Sequence, residues 1–238
     1  MYEKNILEPI KKGSVSKIII DRITDALISG ELKPGSKIPT EMEFSESLGV
    51  GRNSVREATK ILESYGVLEV RPSEGTFVAE QFSQRMLDPL VYGVIMQNGS
   101  MSELLEFKLA FLRTALYLAV EKARDKDIMD LQAHYDFLAE TINSYPEDEN
   151  AIYVANRDFH VALSKACKNK FMYQINDVIM KISKYSRLGG IRAAINEKNP
   201  EEISNVCYLL LEIIKNRDIE SINPTLDNIY KYWKHLLL

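Results

Sequence analysis

Apolar residues recur at helical spacing along most of the chain, and strand-like runs are found in one short stretch near residue 70. In the first third of the chain, the spacing predicts helices over residues 14–29, 41–48 and 52–65. Residues 67–70 and 76–78 are strand-like, and the segment between them has the composition of a hairpin turn. Three helices followed by a two-stranded hairpin indicate a winged helix-turn-helix domain.

Residues at the helix ends support these boundaries. Pro34-Gly35 ends the first helical region and turns the chain. Thr40 is followed three residues later by Glu43, which is the spacing of a capping box at a helix start. Gly49 suits the left-handed cap of the second helix, and Gly66 ends the third. The second and third helices are therefore joined by a tight turn.

The remainder of the chain shows helical periodicity throughout, with turn signals between the segments. The predicted helices cover residues 84–97, 102–123, 126–144, 147–168, 171–196, 201–216 and 224–237. Gly189-Gly190 interrupts the longest of them, so we expect a kink or break there. Ser100 or Ser102 is expected to cap the second segment. The pattern predicts an antiparallel all-α bundle.

The chain is therefore predicted to be mainly α, with two domains. A winged helix-turn-helix domain covers residues 1–80, a linker covers 81–88, and an all-helical bundle covers 89–238. The length of 238 residues suits two domains of ordinary size.

Targeting signals and cysteine usage indicate a cytoplasmic protein. The sequence has no run of about 18 apolar residues, which a membrane-spanning helix would need. The N-terminal residues lack the apolar core of a signal peptide. Cys167 and Cys207 fall in buried helical patterns, as expected of free thiols in a reducing compartment.

Net charge argues for local rather than general affinity for nucleic acid. Residues 1–80 contain eleven Lys and Arg against thirteen Asp and Glu, so this domain is not basic as a whole. Within it, Arg52, Arg56 and Lys60 lie along one face of the predicted third helix, with Glu57 as the only acid in residues 51–60. Taken alone, this triplet is more typical of a solvated helix face, and only the surrounding pattern favours contact with DNA.

Five short motifs in the first domain resemble the winged helix-turn-helix of the GntR family of bacterial transcription regulators. In order they are GELKPG at 30–35, IPTE at 38–41, GV-x-R at 49–52, VREA at 55–58 and GTFV at 75–78. The resemblance implies that the third helix enters the major groove of double-stranded DNA, where an arginine can bind guanine at two atoms. The DNA-contacting residues it implies are Thr40, Arg52, Asn53, Ser54, Arg56, Glu74, Gly75 and Thr76.

Three positions depart from the pattern of that family. Met42 stands where the family commonly has an arginine that contacts DNA, and Gly51 stands where it has Ser or Thr. Glu74 places a negative charge at the tip of the wing. Each departure removes a donor or adds repulsion, so a helical interaction module with weakened DNA binding is the alternative function.

The helical region resembles the effector-binding domain of the FadR subfamily of GntR regulators. The matching stretches are SELLEFKLAFLRTALYLA at 102–119, NRDFHVALSKACKN at 156–169 and LLLEIIKNRDIES at 209–221. The pocket lining that this resemblance implies consists of Lys108, Arg113, Asn156, His160, Cys207 and Tyr208. Ordinary packing or surface solvation is the competing interpretation, and it is favoured for Arg113 and Tyr208.

Many members of the subfamily hold a divalent metal on one Asp and three His, and this chain departs from that pattern. The Asp position is Asn156, the second His position is Cys207, and the third falls near Asn228 or Ile229. Only His160 is retained. An amide and one imidazole make a poor metal site, so we predict no metal and no other cofactor, with zinc on His160 and Cys207 as the open alternative.

The function that the resemblance implies is a sequence-specific regulator, most commonly a repressor, with activation left open. A homodimer would bind a near-palindromic operator, and a small-molecule effector, expected to be a carboxylate metabolite, would change operator affinity. An enzyme is disfavoured because the chain has three histidines and lacks a nucleophile motif, a phosphate-binding loop and a paired-histidine motif.

Overall fold

The computed structural model describes residues 14–97 and 99–237 and divides the chain into two units. The division falls between Leu90 and Val91. No helix in the described ranges combines the length and the apolar character that crossing a lipid bilayer requires.

The first unit contains three helices and a hairpin. The helices are α1 (Val15–Ile28), α2 (Glu41–Leu48) and α3 (Arg52–Ser64), and the strands are β1 (Leu68–Arg71) and β2 (Gly75–Val78). The strands are antiparallel, with Leu68 opposite Val78 and Arg71 opposite Gly75. The wing, defined here as β1, β2 and the turn between them, agrees with the predicted hairpin. A short 3-10 turn, Gln84–Met86, follows it.

The helix ends have the predicted caps. The Thr40 hydroxyl accepts a hydrogen bond from the backbone of Glu43, and the Glu43 carboxylate accepts one from the backbone of Thr40. Gly49 adopts a left-handed conformation with φ of 64°, which costs a glycine little. These two ends set the length of α2 and the tight turn into α3.

The core of the first unit is built where α1 and α3 meet the wing. Ile19 and Ile23 of α1 are buried with Val55, Ala58 and Leu62 of α3. The segment before α2 also joins the wing, because the backbone of Ile38 donates to Thr76 and that of Val78 donates to Ser36. Helix α3 is therefore packed against the core on one side, and its other side is exposed to solvent.

The second unit is helical over the residues that the structure describes, apart from its turns. Its helices are α4 (Asp88–Met96), which begins just before the division, α5 (Met101–Lys122), α6 (Asp125–Ser144), α7 (Glu149–Ala166), α8 (Lys170–Ile182), α9 (Lys184–Asn196), α10 (Glu201–Lys215) and α11 (Ile222–Leu237). Ser100, rather than Ser102, caps α5 through a capping box with Glu103.

The core of the bundle lies around α7, whose inner face carries Ile152, Phe159 and Leu163 in fully buried positions. Helix α6 packs against α7 across a short turn, and α5, α8, α9 and α10 pack against other parts of it. Short connections of this kind favour antiparallel neighbours. The helices around α7 leave space between them, and that space forms the site described below.

The predicted break at Gly189-Gly190 is wrong. The long segment is interrupted at Ser183, between α8 and α9, whereas both glycines lie inside α9. Ser183 is buried, and its hydroxyl donates to the carbonyl of Ile179. Gly190 has a packing role instead, because a Cβ built there would lie 2.7 Å from the ring of Trp233 on α11.

We expect Gly190→Ala to destabilise the bundle by roughly 1–3 kcal/mol, because the added methyl group must displace the Trp233 ring. Equilibrium denaturation followed by tryptophan fluorescence measures this effect, since Trp233 is the only tryptophan of the chain.

Gly93→Ala is the matched control, because a Cβ at this position in α4 has no heavy atom within 4 Å. It should be neutral or stabilising by up to about 1 kcal/mol. Equal effects of the two substitutions would show that the contact between Gly190 and Trp233 is unimportant.

Candidate functional site

Helix α3 separates its residues sharply into buried and exposed. Val55, Ala58, Thr59 and Leu62 are buried, whereas Arg52, Asn53, Arg56 and Lys60 are exposed. Gly51, the residue before α3, offers no side chain to cap the first turn, and that turn carries no acid. The start of α3 therefore presents a cationic face together with the positive end of a helix dipole.

Arg56 has one partner on this face. Its Nε donates to Oε2 of Glu41 over 3.2 Å, and both side chains are about half exposed. An exposed pair of this kind contributes little, typically about 0–1 kcal/mol. Glu41 can thus orient Arg56 without preventing it from exchanging partners with a phosphate or a base.

The remaining residues that the resemblance implied have different surroundings. Thr40 is exposed, but its hydroxyl both donates to and accepts from Glu43 in the helix cap. Ser54 is half-buried next to the core-facing Val55. The hydrogen bonds from Thr40 lower the pKa of Glu43, so this carboxylate stays ionised at neutral pH.

The wing carries its own charges. Glu74 is exposed at the turn, and Gly75 adopts φ of 120°. Lys37, from the segment before α2, lies so close that a Cβ on Gly75 would be 2.7 Å from its Cε. Sequence reasoning did not place Lys37 in the site, since the pairing of its segment with β2 brings it there.

A cavity of about 100 Å³ lies between the helices of the second unit. This bundle cavity is lined mainly by apolar side chains, among them Leu105, Leu112, Ile179, Ile203 and Trp233. Its polar lining residues are Lys108, Asn156, His160, Ser164, Asn176, Ser186 and Arg187. Apolar walls with a few polar groups are typical of small-molecule sites.

Arg187 is the central polar group of the bundle cavity. Its Nη1 donates to Oδ1 of Asn156 over 3.0 Å, and Nδ2 of Asn156 donates in turn to Sγ of Cys207 over 3.4 Å. Asn156 and Cys207 are both buried. Because each side chain is held by the next, the guanidinium has a defined position in the cavity wall.

Several donors in the cavity have no acceptor. Nε of Arg187 and Nδ2 of Asn176 are buried without a hydrogen-bond partner among the described residues. Lys108, which is half-buried, also forms no ion pair or hydrogen bond within the part of the chain that the structure describes. A buried donor without a partner costs about 1–3 kcal/mol, so an acceptor entering the cavity would be bound favourably.

The electrostatics of the cavity are one-sided. Burial, and then the charge of Arg187, lower the pKa of Lys108 to about 7. Burial, followed by Arg187 and Lys108, lowers the pKa of His160 well below its usual value, so its imidazole is neutral at neutral pH. The lining contains no Asp or Glu. The cavity thus has cationic groups without a compensating carboxylate.

The structure brings together Lys108, Asn156 and His160 of the effector residues implied by the resemblance. Cys207 lies behind Asn156, and the other two lie outside the lining. Arg113 is half-buried and pairs with Asp227, and its Nε has no hydrogen-bond partner among the described residues. Tyr208 is exposed and packs on Tyr135.

Sequence reasoning missed Arg187 and Asn176. Arg187 lies in the first turn of α9, and Asn176 lies in the middle of α8. Their directions depend on how these two helices pack in the bundle. A charged residue within a helical segment gives no local signal that it points inward.

The donor set around Asn156 and His160 does not fit a divalent metal ion. Burial raises the pKa of Cys207 to about 12, so without a metal ion its sulfur is a protonated thiol. The Arg187 guanidinium, bonded to Asn156, would repel a cation. Within residues 14–97 and 99–237, no three His, Cys, Asp or Glu side chains converge as potential metal ligands.

The folds of the two units define a winged helix-turn-helix protein with an all-helical second domain. Residues 16–78 match the family described as Bacterial regulatory proteins, gntR family, and residues 103–230 match the FCD domain. Because the second match covers more than half of the chain, the protein belongs to the FCD-domain family, with a gntR-family helix-turn-helix domain before it.

Individual relatives are transcription regulators. The chain is 32% identical to the HTH-type transcriptional regulator LutR of Bacillus subtilis over 144 residues, which cover 60% of this chain and 64% of LutR. The chain thus matches less than two thirds of the length of that relative. It is 23% identical over 232 residues to the HTH-type transcriptional repressor NanR of Salmonella newport, covering 92% of this chain and 83% of NanR.

The fold is shared with a solved structure. The Streptococcus agalactiae GntR structure superposes with a TM-score of 0.60 at 21% identity, covering 92% of this chain and 99% of that one. At this identity the similarity concerns the fold.

Both thiols are expected to resist modification while the protein is folded. Burial raises the pKa of Cys167 to about 11 and that of Cys207 to about 12. At about pH 8 the thiolate fraction of Cys207 is therefore on the order of one in ten thousand. An aromatic disulfide reagent added at that pH should react with neither thiol until denaturant unfolds the bundle. Rapid reaction of one thiol per native chain would contradict this burial.

Proposed function

We propose that the protein is a sequence-specific, DNA-binding transcriptional repressor of the FadR subfamily. It acts as a homodimer on double-stranded DNA, and a small carboxylate effector bound in the bundle cavity lowers its affinity for the operator. The observation that carries the proposal is the exposed face of α3, where Arg52, Asn53 and Arg56 lie at the start of a helix that has no acid in its first turn.

The physical basis for DNA recognition is the direction of this face. A helix fits the major groove, and an arginine at its start can donate two hydrogen bonds to O6 and N7 of guanine. The first-turn amides of α3, which lack a side-chain cap, suit a phosphate oxygen. We assign base contacts to Arg52 and Arg56, and phosphate or base-edge contacts to Asn53 and Ser54.

The wing is proposed as a second contact, near the minor groove. Gly75 and Thr76 would approach the backbone there, and Lys37 offsets the repulsive charge of Glu74 because it lies against the same turn. Thr40 contributes mainly by fixing the start of α2. With Met42 in place of a cation, we expect operator affinity to depend strongly on the arginines of α3.

A carboxylate is the effector class that the cavity suits. Nε of Arg187 and Nδ2 of Asn176 need acceptors, and a carboxylate provides two oxygens with a compensating negative charge. A water molecule needs about 10–15 Å³ of such space, so a cavity of this size suits a ligand on the order of seven to ten non-hydrogen atoms. Binding, rather than catalysis, is the function that we assign to the bundle.

Coupling between the sites requires different affinities in two states. An effector lowers operator binding only if it binds the DNA-free conformation more tightly than the DNA-bound one. We propose residues 81–88, between the domain at 1–80 and the bundle at 89–238, as the coupling segment. Two copies would place their α3 helices about one DNA turn apart, on a near-palindromic operator. This function places the protein in the cytoplasm.

Selection of bound sequences from random duplex DNA should enrich a short palindrome, and Arg52→Ala or Arg56→Ala should abolish the enrichment. Loss of one bidentate contact is expected to lower affinity for the selected site by about 1–3 kcal/mol. Fluorescence anisotropy with the selected duplex measures the affinity, and the affinity should also fall steeply with added salt.

Arg22→Ala is the matched control, because Arg22 is exposed on α1 and should be neutral toward the selected duplex. Failure to enrich any sequence would favour the alternative function, a helical interaction module with weakened DNA binding. If all three substitutions lower the affinity equally, the arginines of α3 contribute only positive charge and do not recognise the sequence.

Arg187→Gln should weaken binding of small carboxylates on the order of ten- to hundredfold, because it removes a charge-assisted hydrogen bond. Titration of acetate, hexanoate and benzoate against Trp233 fluorescence measures the affinity, since Trp233 lines the cavity.

Arg192→Gln provides the control on the same helix, as Arg192 is exposed and pairs with Glu149. Unchanged carboxylate binding in Arg187→Gln would exclude Arg187 as the anchor. Operator affinity without carboxylate should be the same in both variants.

A further inference from the structure

The bundle cavity holds two side-chain cations that face the same space. Lys108 reaches it from α5 and Arg187 from α9. Arg187 is fixed by Asn156, whereas Lys108 has no partner among the described residues. Like charges in a largely apolar space disfavour each other, so each cation makes it easier for the other to lose its proton.

The group that loses its proton is Lys108. A guanidinium stays protonated in proteins, whereas a lysine ammonium loses its proton readily when it is buried. Arg187 also keeps its hydrogen bond to Asn156, whereas Lys108 forms no comparable bond among the described residues. The lysine is therefore the group in this cavity whose charge can change with its occupant.

The other groups around Lys108 supply no negative charge. His160 of α7 is neutral at neutral pH, and Cys207 of α10 is a protonated thiol. Helices α8 and α11 line the cavity with groups that do not titrate, such as Asn176 and Trp233. The amino group of Lys108 thus faces Arg187 without a counter-ion among the described residues, and an anionic ligand would supply a negative charge near it.

We propose that binding of a small carboxylate in the bundle cavity is coupled to uptake of a proton by Lys108. The inference rests on the proposed function, in which this cavity takes an anion, and adds that its affinity depends on pH. The ligand supplies the counter-charge that the cavity lacks, so Lys108 binds a proton from solvent as the carboxylate enters. The effector site would then respond to acidity and to effector concentration together.

The direction of the pH dependence follows from the two states. In the unliganded protein the pKa of Lys108 is about 7, and a neighbouring carboxylate raises it. Well below pH 7 both states are protonated, so affinity is full and constant. Above pH 7 only the liganded state retains the proton, and affinity falls by up to tenfold per pH unit until the higher pKa is reached.

The test is a titration of the full-length protein with acetate, hexanoate and benzoate, followed by Trp233 fluorescence, at about pH 6 and about pH 8.5. We expect the affinity of the probes that bind to fall on the order of tenfold between these values. Calorimetry at neutral pH, in two cationic buffers with different ionisation enthalpies, should show net uptake of a fraction of a proton per ligand.

Single substitutions test whether Lys108 is the group that takes up the proton. Lys108→Arg keeps a permanent charge, so its affinity should stay high and become independent of pH. Lys108→Met should bind weakly at both values, with no proton uptake. Lys122→Met is the same substitution at an exposed position of the same helix and should behave as the parent protein. His160→Gln should retain the pH dependence.

Two results would overturn the inference in distinguishable ways. If none of the three probes binds at either pH, the anion site fails and the proton coupling fails with it. If a probe binds equally well at both values, or if Lys108→Met retains the pH dependence and His160→Gln loses it, the anion site stands and the assignment to Lys108 is wrong.

Discussion

The guanidinium of Arg187 is held among apolar helices by one hydrogen bond, to the side-chain amide of Asn156. Placing a charge there is costly unless it is paired, and the described residues offer no carboxylate to pair with it. Burial first, and then the Arg187 charge, keep the imidazole of His160 neutral and lower the pKa of Lys108. Donors of Arg187 and Asn176 are left without acceptors among the described residues. An anion would satisfy all of these groups together.

The first unit obeys a different constraint, because its proposed DNA-binding surface consists of the α3 residues that its small core leaves exposed. Burial of Val55, Ala58 and Leu62 fixes the rotation of α3, and Arg52 and Arg56 then face solvent without further assistance. Glu41 adds a weak restraint on one of these arginines. The exposed arginines on such a helix are positioned by packing on its opposite side, so core substitutions would disturb the proposed DNA contact indirectly.

Local chemistry made several features predictable. The Thr40–Glu43 capping box and the left-handed Gly49 were confirmed, since both depend on residues within one helical turn. The break in the long helical segment was misplaced, because a glycine can either interrupt a helix or allow close packing within one. The sequence does not distinguish these two roles. At Gly190 the missing side chain makes room for Trp233, and α9 continues through it. The break falls at Ser183, which has no comparable signal.

The sequence by itself determined the order of the elements, the two-part organisation and the cationic face of α3. These depend on periodicity and on residues close together in the chain. Only the tertiary structure decided which side chains share the cavity. It brings Arg187 and Asn176 to Lys108 and Asn156, and it leaves Arg113 and Tyr208 outside the cavity lining. The reason is physical: a side chain's direction depends on the rotation of its helix, and that rotation is set by packing against helices distant in sequence.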